Sequence, residues 1–283
     1  MDKAGVRAAF EAAGLARLTK DINALSKASI LLFTTPTPET SFELGASKLG
    51  GLPDVSVGFA WPVWKDVPQS FIAQIRLDEA HTFDVDGVLP EHGMLWFFYD
   101  AQQQTFGAAP NDKGGWLVLF DENPTTLQRA TVPAKLPTGS QFQPCTLRFA
   151  SEITLSLQPQ LELGPNFDWT DEEQKRYETL LSTFPTPEDH AAVHHRLLGN
   201  PDTIQDDMRE ECQLAFNGVA DANDPKANEL LAGAMEWQLL LQIDSDEQVG
   251  MRWGNTGMLY YWLKKSDLQA QRFAASWLVL QSE

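Results

Sequence analysis

Residues able to act as acids, bases, nucleophiles or metal ligands are few in this chain, and they are scattered. The histidines are His81, His92, His190, His194 and His195. His190 and His194 stand four apart, which on a helix puts both on one face, with His195 beside them. The glutamate of a His-Glu-x-x-His zinc site is missing, because Ala191, Ala192 and Val193 fill the interval. Such a pair is more often packed or solvated than ligating, and no metal site is expected; His195 is the preferred functional histidine. The run "DSDEQ", 244–248, opens like a calcium loop. Val249 and Asn255 stand where that loop needs its glycine and its bidentate glutamate, so calcium is not expected either.

Nucleophile and cofactor motifs are equally scarce. There is no Gly-x-Ser-x-Gly elbow, no P-loop and no Gly-x-Gly-x-x-Gly. Lys48 precedes Gly50-Gly51 without the Lys-Ser/Thr pair that cradles a phosphate, which favours a turn-stabilising role. Cys145 and Cys212 are too few to frame disulfides, and they read as small buried hydrophobes. No cofactor is implied. What remains is a polar and aromatic set: Gln74, Arg76, His195, Gln205, Gln242, Asp244, Arg252 and Trp253. In "RWGNTG", 252–257, Gly254 and Gly257 permit a tight turn, while Arg252 and Trp253 offer a charge and a flat ring. As structure, the same stretch is a turn whose tryptophan covers the core.

Charge narrows the partners. The 283 residues hold 39 acidic and 21 basic side chains, a formal net charge of −18. A nucleic-acid binder needs a basic face to displace counterions, and an anionic membrane repels an acidic one, so both classes are disfavoured. A basic protein or a cationic ligand suits the balance, though excess acid is also a common means of staying soluble. No run of eighteen apolar residues occurs, and the N-terminal stretch reads as an amphipathic helix and not as a signal peptide. The expected location is the cytoplasm.

The elements that would position these residues fall into four stretches forming one compact unit. Residues 1–46 hold helical spacings (Val6, Phe10; Leu15, Leu18, Ile22) and then the strand-like "SILLFTT". Residues 47–165 are β-rich, with strands expected at 70–77, 93–100, 115–121 and 145–157. Residues 166–235 are acid-rich and read as helical, with Thr170 and Glu173 as a capping box and "TPEDHAAVHHRLLG" as a helix closed by Gly199. Residues 236–283 are β-rich again, with a strand from about Trp237, two strands joined at Gly254-Asn255, a short helix capped by Ser266 and a last strand. With no long helix between strands, pairing should be largely antiparallel and the class α+β.

The two β-rich stretches echo each other. Gln74-Ile75 is followed by Gly93-Met94-Leu95, and Gln242-Ile243 by Gly257-Met258-Leu259; "WLVL" then occurs at 116–119 and at 277–280. This order predicts two duplicated halves separated by an acidic helical insert, with a joint between them. At one matched position the halves disagree in charge: Arg76 stands against Asp244.

The blocks "SKLGGLPDVSVGFAWP", "SFIAQIRL", "GMLWFFYD", "HRLLGNPDTIQDDMREECQ", "WQLLLQIDSDEQVGMRWGNTGMLYYW" and "RFAASWLVLQ" resemble the YwqG-like family, a bacterial domain of unknown function. The resemblance runs from about Ser47 to the end. It implies an α+β fold built from repeated halves and brings no activity with it. Relatives lie near loci for secreted toxins, which by analogy implies an immunity or partner-binding role. Two functional expectations follow. One is a non-enzymatic, acidic protein-binding module with a basic partner. The other is an enzyme or small-molecule-binding protein with a polar–aromatic cleft between the halves.

Overall fold

The computed structural model describes residues 3–164, 166–185, 192–221 and 223–283. Its centre is a ten-stranded antiparallel sheet. In chain order the strands are β1 (Ser26–Pro36), β2 (Lys48–Leu49), β3 (Ser70–Arg76), β4 (Met94–Tyr99), β5 (Trp116–Asp121), β6 (Cys145–Leu155), β7 (His195–Leu198), β8 (Trp237–Asp244), β9 (Gly257–Lys264) and β10 (Trp277–Ser282). Their order across the sheet is β10-β9-β8-β7-β1-β6-β2-β3-β4-β5. From the two edges inward, counterparts are always five apart in this numbering. The first strand of each set of five is exchanged: β1 lies between β6 and β7, and β6 lies between β1 and β2.

Both arms share local detail. β3 slips register between Phe71 and Ala73 before reaching Gln74, and β8 slips between Leu239 and Leu241 before reaching Gln242. Each slip is a bulge at the same distance from its glutamine, which bends both strands alike. The "WLVL" stretches are not matched in this way. Leu95 lies opposite Phe120, whereas Leu259 lies opposite Leu280, so the two stretches are one residue apart in ladder register. A one-residue slip changes the face of every side chain, so this part of the sequence echo is compositional.

The sheet curls until its edges meet through side chains. The Trp116 and Trp277 rings pack edge-to-face at 4.8 Å, and Phe97 meets Tyr261 at 5.2 Å. Trp116 Nε1 donates to the Ser276 carbonyl, and Trp277 Nε1 to that of Gly107. The joint between the two arms is therefore a ring-filled core. A second cluster lies under α1 (Lys3–Ala12), where Val6 and Phe10 meet Ile153, Leu155 and the Tyr177 of α2 (Asp171–Leu181). The Thr170–Glu173 capping box starts α2 as expected.

Three expectations change. "HRLLG" is not helical: His195–Leu198 is a central strand, paired with β1 and β8. Four apolar-flanked residues are too short to separate strand from helix by periodicity, and the sheet decides. The stretch 166–235 thus contributes a strand as well as helices, including α3 (Arg209–Phe216). His190 lies outside the described residues. Between Asp244 and Gly257 there is one bridge, Asp246 to Met251, where a full strand was expected. The helix Lys265–Gln269 is preceded by Lys264, with Ser266 inside its first turn.

Candidate functional site

The symmetry of the sheet extends to a polar unit that occurs twice. In the first arm Gln74 and Lys48 are cross-strand partners; in the second, Gln242 and Arg196 are. Gln74 Nε2 donates to the Ala46 carbonyl and to Asp54 Oδ2, and its Oε1 accepts from the Asp54 amide. Gln242 does the same: Nε2 donates to the His194 carbonyl and to Asp202 Oδ2, and Oε1 accepts from the Asp202 amide. Trp96 Nε1 donates to the Asp54 carbonyl, and Tyr260 Oη to the Asp202 carbonyl. These bonds align Lys48-Leu49-Gly50-Gly51-Leu52-Pro53-Asp54 with Arg196-Leu197-Leu198-Gly199-Asn200-Pro201-Asp202. The turn needs left-handed backbone twice. Gly50 and Gly51 supply it in the first copy (φ 66° and 71°), and Leu198 and Gly199 in the second (φ 60° and 83°).

The two copies differ in what covers the aspartate. Asp54 is fully buried. It meets Lys48 Nζ at 3.4 Å and Arg129 Nε at 2.9 Å, and Arg129 is also 3.1 Å from Glu39, the other partner of Lys48. Arg129 is delivered by the short strand Leu127–Arg129, which pairs with Asp54–Ser56. Burial works to raise the Asp54 carboxyl, but the Arg129 hydrogen bond and the Lys48 charge outweigh it and hold it below the usual range.

Among the described residues no second arginine covers Asp202, whose side chain is 35% exposed. Arg196 Nη2 pairs with it at 2.7 Å, and His194 Nδ1 lies 3.2 Å from it. Here too burial works to raise the carboxyl, while Arg196 and the hydrogen bonds of His194 and Gln242 hold it well below the carboxylate range. The hydrogen bond to Asp202 raises His194 against its partial burial. A second carboxylate, Glu152 on β6, stands 3.7 Å from Arg196 Nε and accepts from Ser29 Oγ. That Nε is buried and has no hydrogen-bond partner. A small cavity of about 50 Å3 opens over this group, lined on its polar side by Glu152, His194, Arg196 and Asp202. Leu155, Leu157, Leu181, Phe184 and Pro185 form its apolar wall.

The residues singled out from sequence separate in the structure. Gln74 and Gln242 are the buried centres of the two units. His195 is also buried: Nδ1 accepts from the Asp244 amide, and Nε2 faces Asp246 at 3.2 Å, so the donor–acceptor pattern fixes its tautomer. Ser47 occupies the matching place in the first arm, and its hydroxyl accepts from the Arg76 amide. Arg76 and Asp244 are thus structural counterparts, but no ion pair joins them among the described residues. Arg76 is exposed, while Asp244 accepts from the His194 amide and is raised by burial. Trp253 is fully buried and donates to the Asp244 carbonyl; Arg252 is exposed and bonds the Gly254 carbonyl. Gln205 donates to the Ser282 carbonyl. Burial pushes the Cys145 thiol up to about 11 and Cys212 well above its ordinary value, so neither is a ready nucleophile. Among the described residues no group of three or more His, Cys, Asp or Glu is placed to hold a metal ion, and no helix is long and apolar enough to cross a membrane.

A family model described as "Domain of unknown function (DUF1963)" matches residues 47–282. The chain belongs to that family. Both copies of the Gln–Asp unit, at 46–76 and 194–244, lie inside the matched span or within a residue of its edge. No curated protein matches the chain. Asp202, Arg196 and Glu152 were not singled out from sequence, and His194 was noted only as one of a helical pair. The signal was nonetheless present, since Lys/Arg-Leu-x-Gly-x-Pro-Asp occurs at both 48–54 and 196–202.

Proposed function

We propose that this protein is a non-enzymatic binding module of the cytoplasm that engages a basic protein partner through its acidic surface. The observation that carries the reading is the charge of −18. Beside it stands the fate of the groups chemistry would need: His195 and both glutamines are consumed in internal hydrogen bonds, and the thiols are buried. Exposed acid gathers on α2, where Asp171 and Glu172 open the helix and Glu178 follows. An immunity-like role, protecting against a toxic basic partner, is the specific form suggested by the YwqG-like motifs. The matched bulges, turns and Gln–Asp units support descent of the two arms from one duplicated ancestor, with much of 166–235 as a later acidic elaboration. An enzyme using a cleft at the joint has less support, because rings occupy that joint.

The test is affinity capture from the native cell at low salt, followed by a salt titration of each recovered complex. A basic partner released as salt rises is the expected result. Recovery of no protein partner at low salt would overturn the reading.

A further inference from the structure

Lys48, Asp54, Glu39 and Arg129 balance as two cations and two anions. In the other unit Arg196 alone is a permanent cation facing Asp202 and Glu152, so one fixed positive charge is missing, and His194 beside Asp202 carries charge only when protonated. The missing charge corresponds to Arg129, which the short strand Leu127–Arg129 delivers from outside the repeated turn. Against Asp202 and Glu152 there is a cavity, walled by the two carboxylates and by aliphatic and aromatic side chains. We propose that this cavity takes the guanidinium of an arginine side chain from a partner, seated on Asp202 and Glu152 as Arg129 is seated on Asp54 and Glu39. The inference rests on the binding-module reading and gives it a chemical specificity.

Several observations converge on this cation. Asp202 is the accessible member of a pair whose other member is saturated: Asp54 accepts from Gly45 N, Gln74 and Arg129, and is also close to Lys48. The planar guanidinium of Arg129 reaches both oxygens of Asp54, through Nε and Nη2, a fork that an ammonium does not reproduce. Leu155, Leu157 and Phe184 suit the methylene stem of an arginine, which packs on apolar surface while its head is paired. The unpartnered Nε–H of Arg196, 2% exposed, provides a donor for a carbonyl oxygen on the same ligand.

The arrangement also has a built-in competitor. His194 faces Asp202, Arg196 and Glu152, and its backbone is held by Asp244 from β8, with His195 next in sequence. Protonated, its imidazolium supplies the missing charge from within and occupies Asp202. Binding of an external guanidinium should therefore weaken as pH falls through the His194 titration.

The experiment uses the full chain and three probes: N-acetyl-arginine methylamide, the lysine equivalent and the uncharged citrulline equivalent. Calorimetry and histidine-ring NMR are read together. The arginine probe should bind saturably, at least about tenfold more tightly than citrulline, and should lower the His194 pKa at saturation. Glu152→Gln and Asp202→Asn should each weaken it by about tenfold or more, and His194→Ala should extend binding to lower pH. The proposal is overturned if arginine binds no better than citrulline, or leaves the His194 titration unmoved. Equal binding of lysine overturns the guanidinium assignment. The probe comparison on the wild-type chain decides even if Asp202→Asn folds poorly. A failed probe with successful salt-sensitive capture removes the arginine pocket and leaves the binding module. A bound probe with no captured partner does the reverse.

Discussion

The same seven-residue turn and the same glutamine build two aspartate sites, one sealed and one open. At Asp54 a strand from elsewhere in the chain brings Arg129 and closes the site. At Asp202 the turn is repeated, but nothing equivalent arrives among the described residues, and His194, Arg196 and a cavity stand there instead. Because backbone and glutamine bonds are shared, they account for the architecture of each arm. Because only the cover differs, the cover is where function has room to differ. An isolated buried carboxylate is costly, so the sealed copy must be fully paired. The open copy keeps contact with water and tolerates an incomplete set.

The comparison makes unequal demands on equal substitutions. Asp54→Asn leaves Lys48 and Arg129 buried against too little negative charge and should cost about 3–5 kcal/mol in urea unfolding. Asp202→Asn, with Arg196 still near Glu152 and the Asn200 carbonyl, should cost about 1–2 kcal/mol. Equal losses would erase the distinction between sealed and open. Gln74→Leu and Gln242→Leu should each cost about 1–3 kcal/mol, and by similar amounts, because each removes a buried glutamine that makes the same three bonds to an aspartate and a carbonyl. A strong imbalance there would show that the shared scaffold is not shared in energy. Gly50→Leu writes the second copy's residue into the first. A Cβ there would lie 2.3 Å from the Gln143 carbonyl oxygen, on left-handed backbone that itself costs about 1–2 kcal/mol. A clear fall in melting temperature is expected, and an unchanged one would mean the two turns are interchangeable.

The smallest effect separates the copies by pH. His194 holds its proton more tightly in the folded chain than its ordinary value of 6.5. Its contribution to stability is therefore complete below pH 6.5 and fades as pH rises through the folded value. His194→Ala should flatten this slope in denaturation measured from pH 5.5 to 8.5. The first copy, with Ala46 at the matching place, supplies no such slope.

Much of the β framework was legible because aromatic and β-branched runs bounded by Gly, Pro and Asp have few other outcomes. The Gln-Ile and Gly-Met-Leu echoes marked β3 with β8 and β4 with β9. The site was hidden because β7 is only four residues long and follows a helical spacing, so "HRLLGNPD" was not set beside "SKLGGLPD". Arg129 and Glu152 carry no local signal at all. Their roles depend on which strand lies next to which, and that order is decided by pairing across more than a hundred residues. The literal "WLVL" repeat was the opposite case, a match in letters that the ladder does not keep.

The exchange of β1 and β6 between the arms has a consequence for synthesis. β1 is made early, yet its two neighbours, β6 and β7, begin at Cys145 and His195. The first arm cannot finish as a unit on the ribosome, since one of its own opening strands must wait for the other arm. Folding should be a late, single event, slow for its size because so much pairing is distant in sequence. A break in the exposed stretch near Thr138 should accordingly give two fragments that gain structure only when mixed.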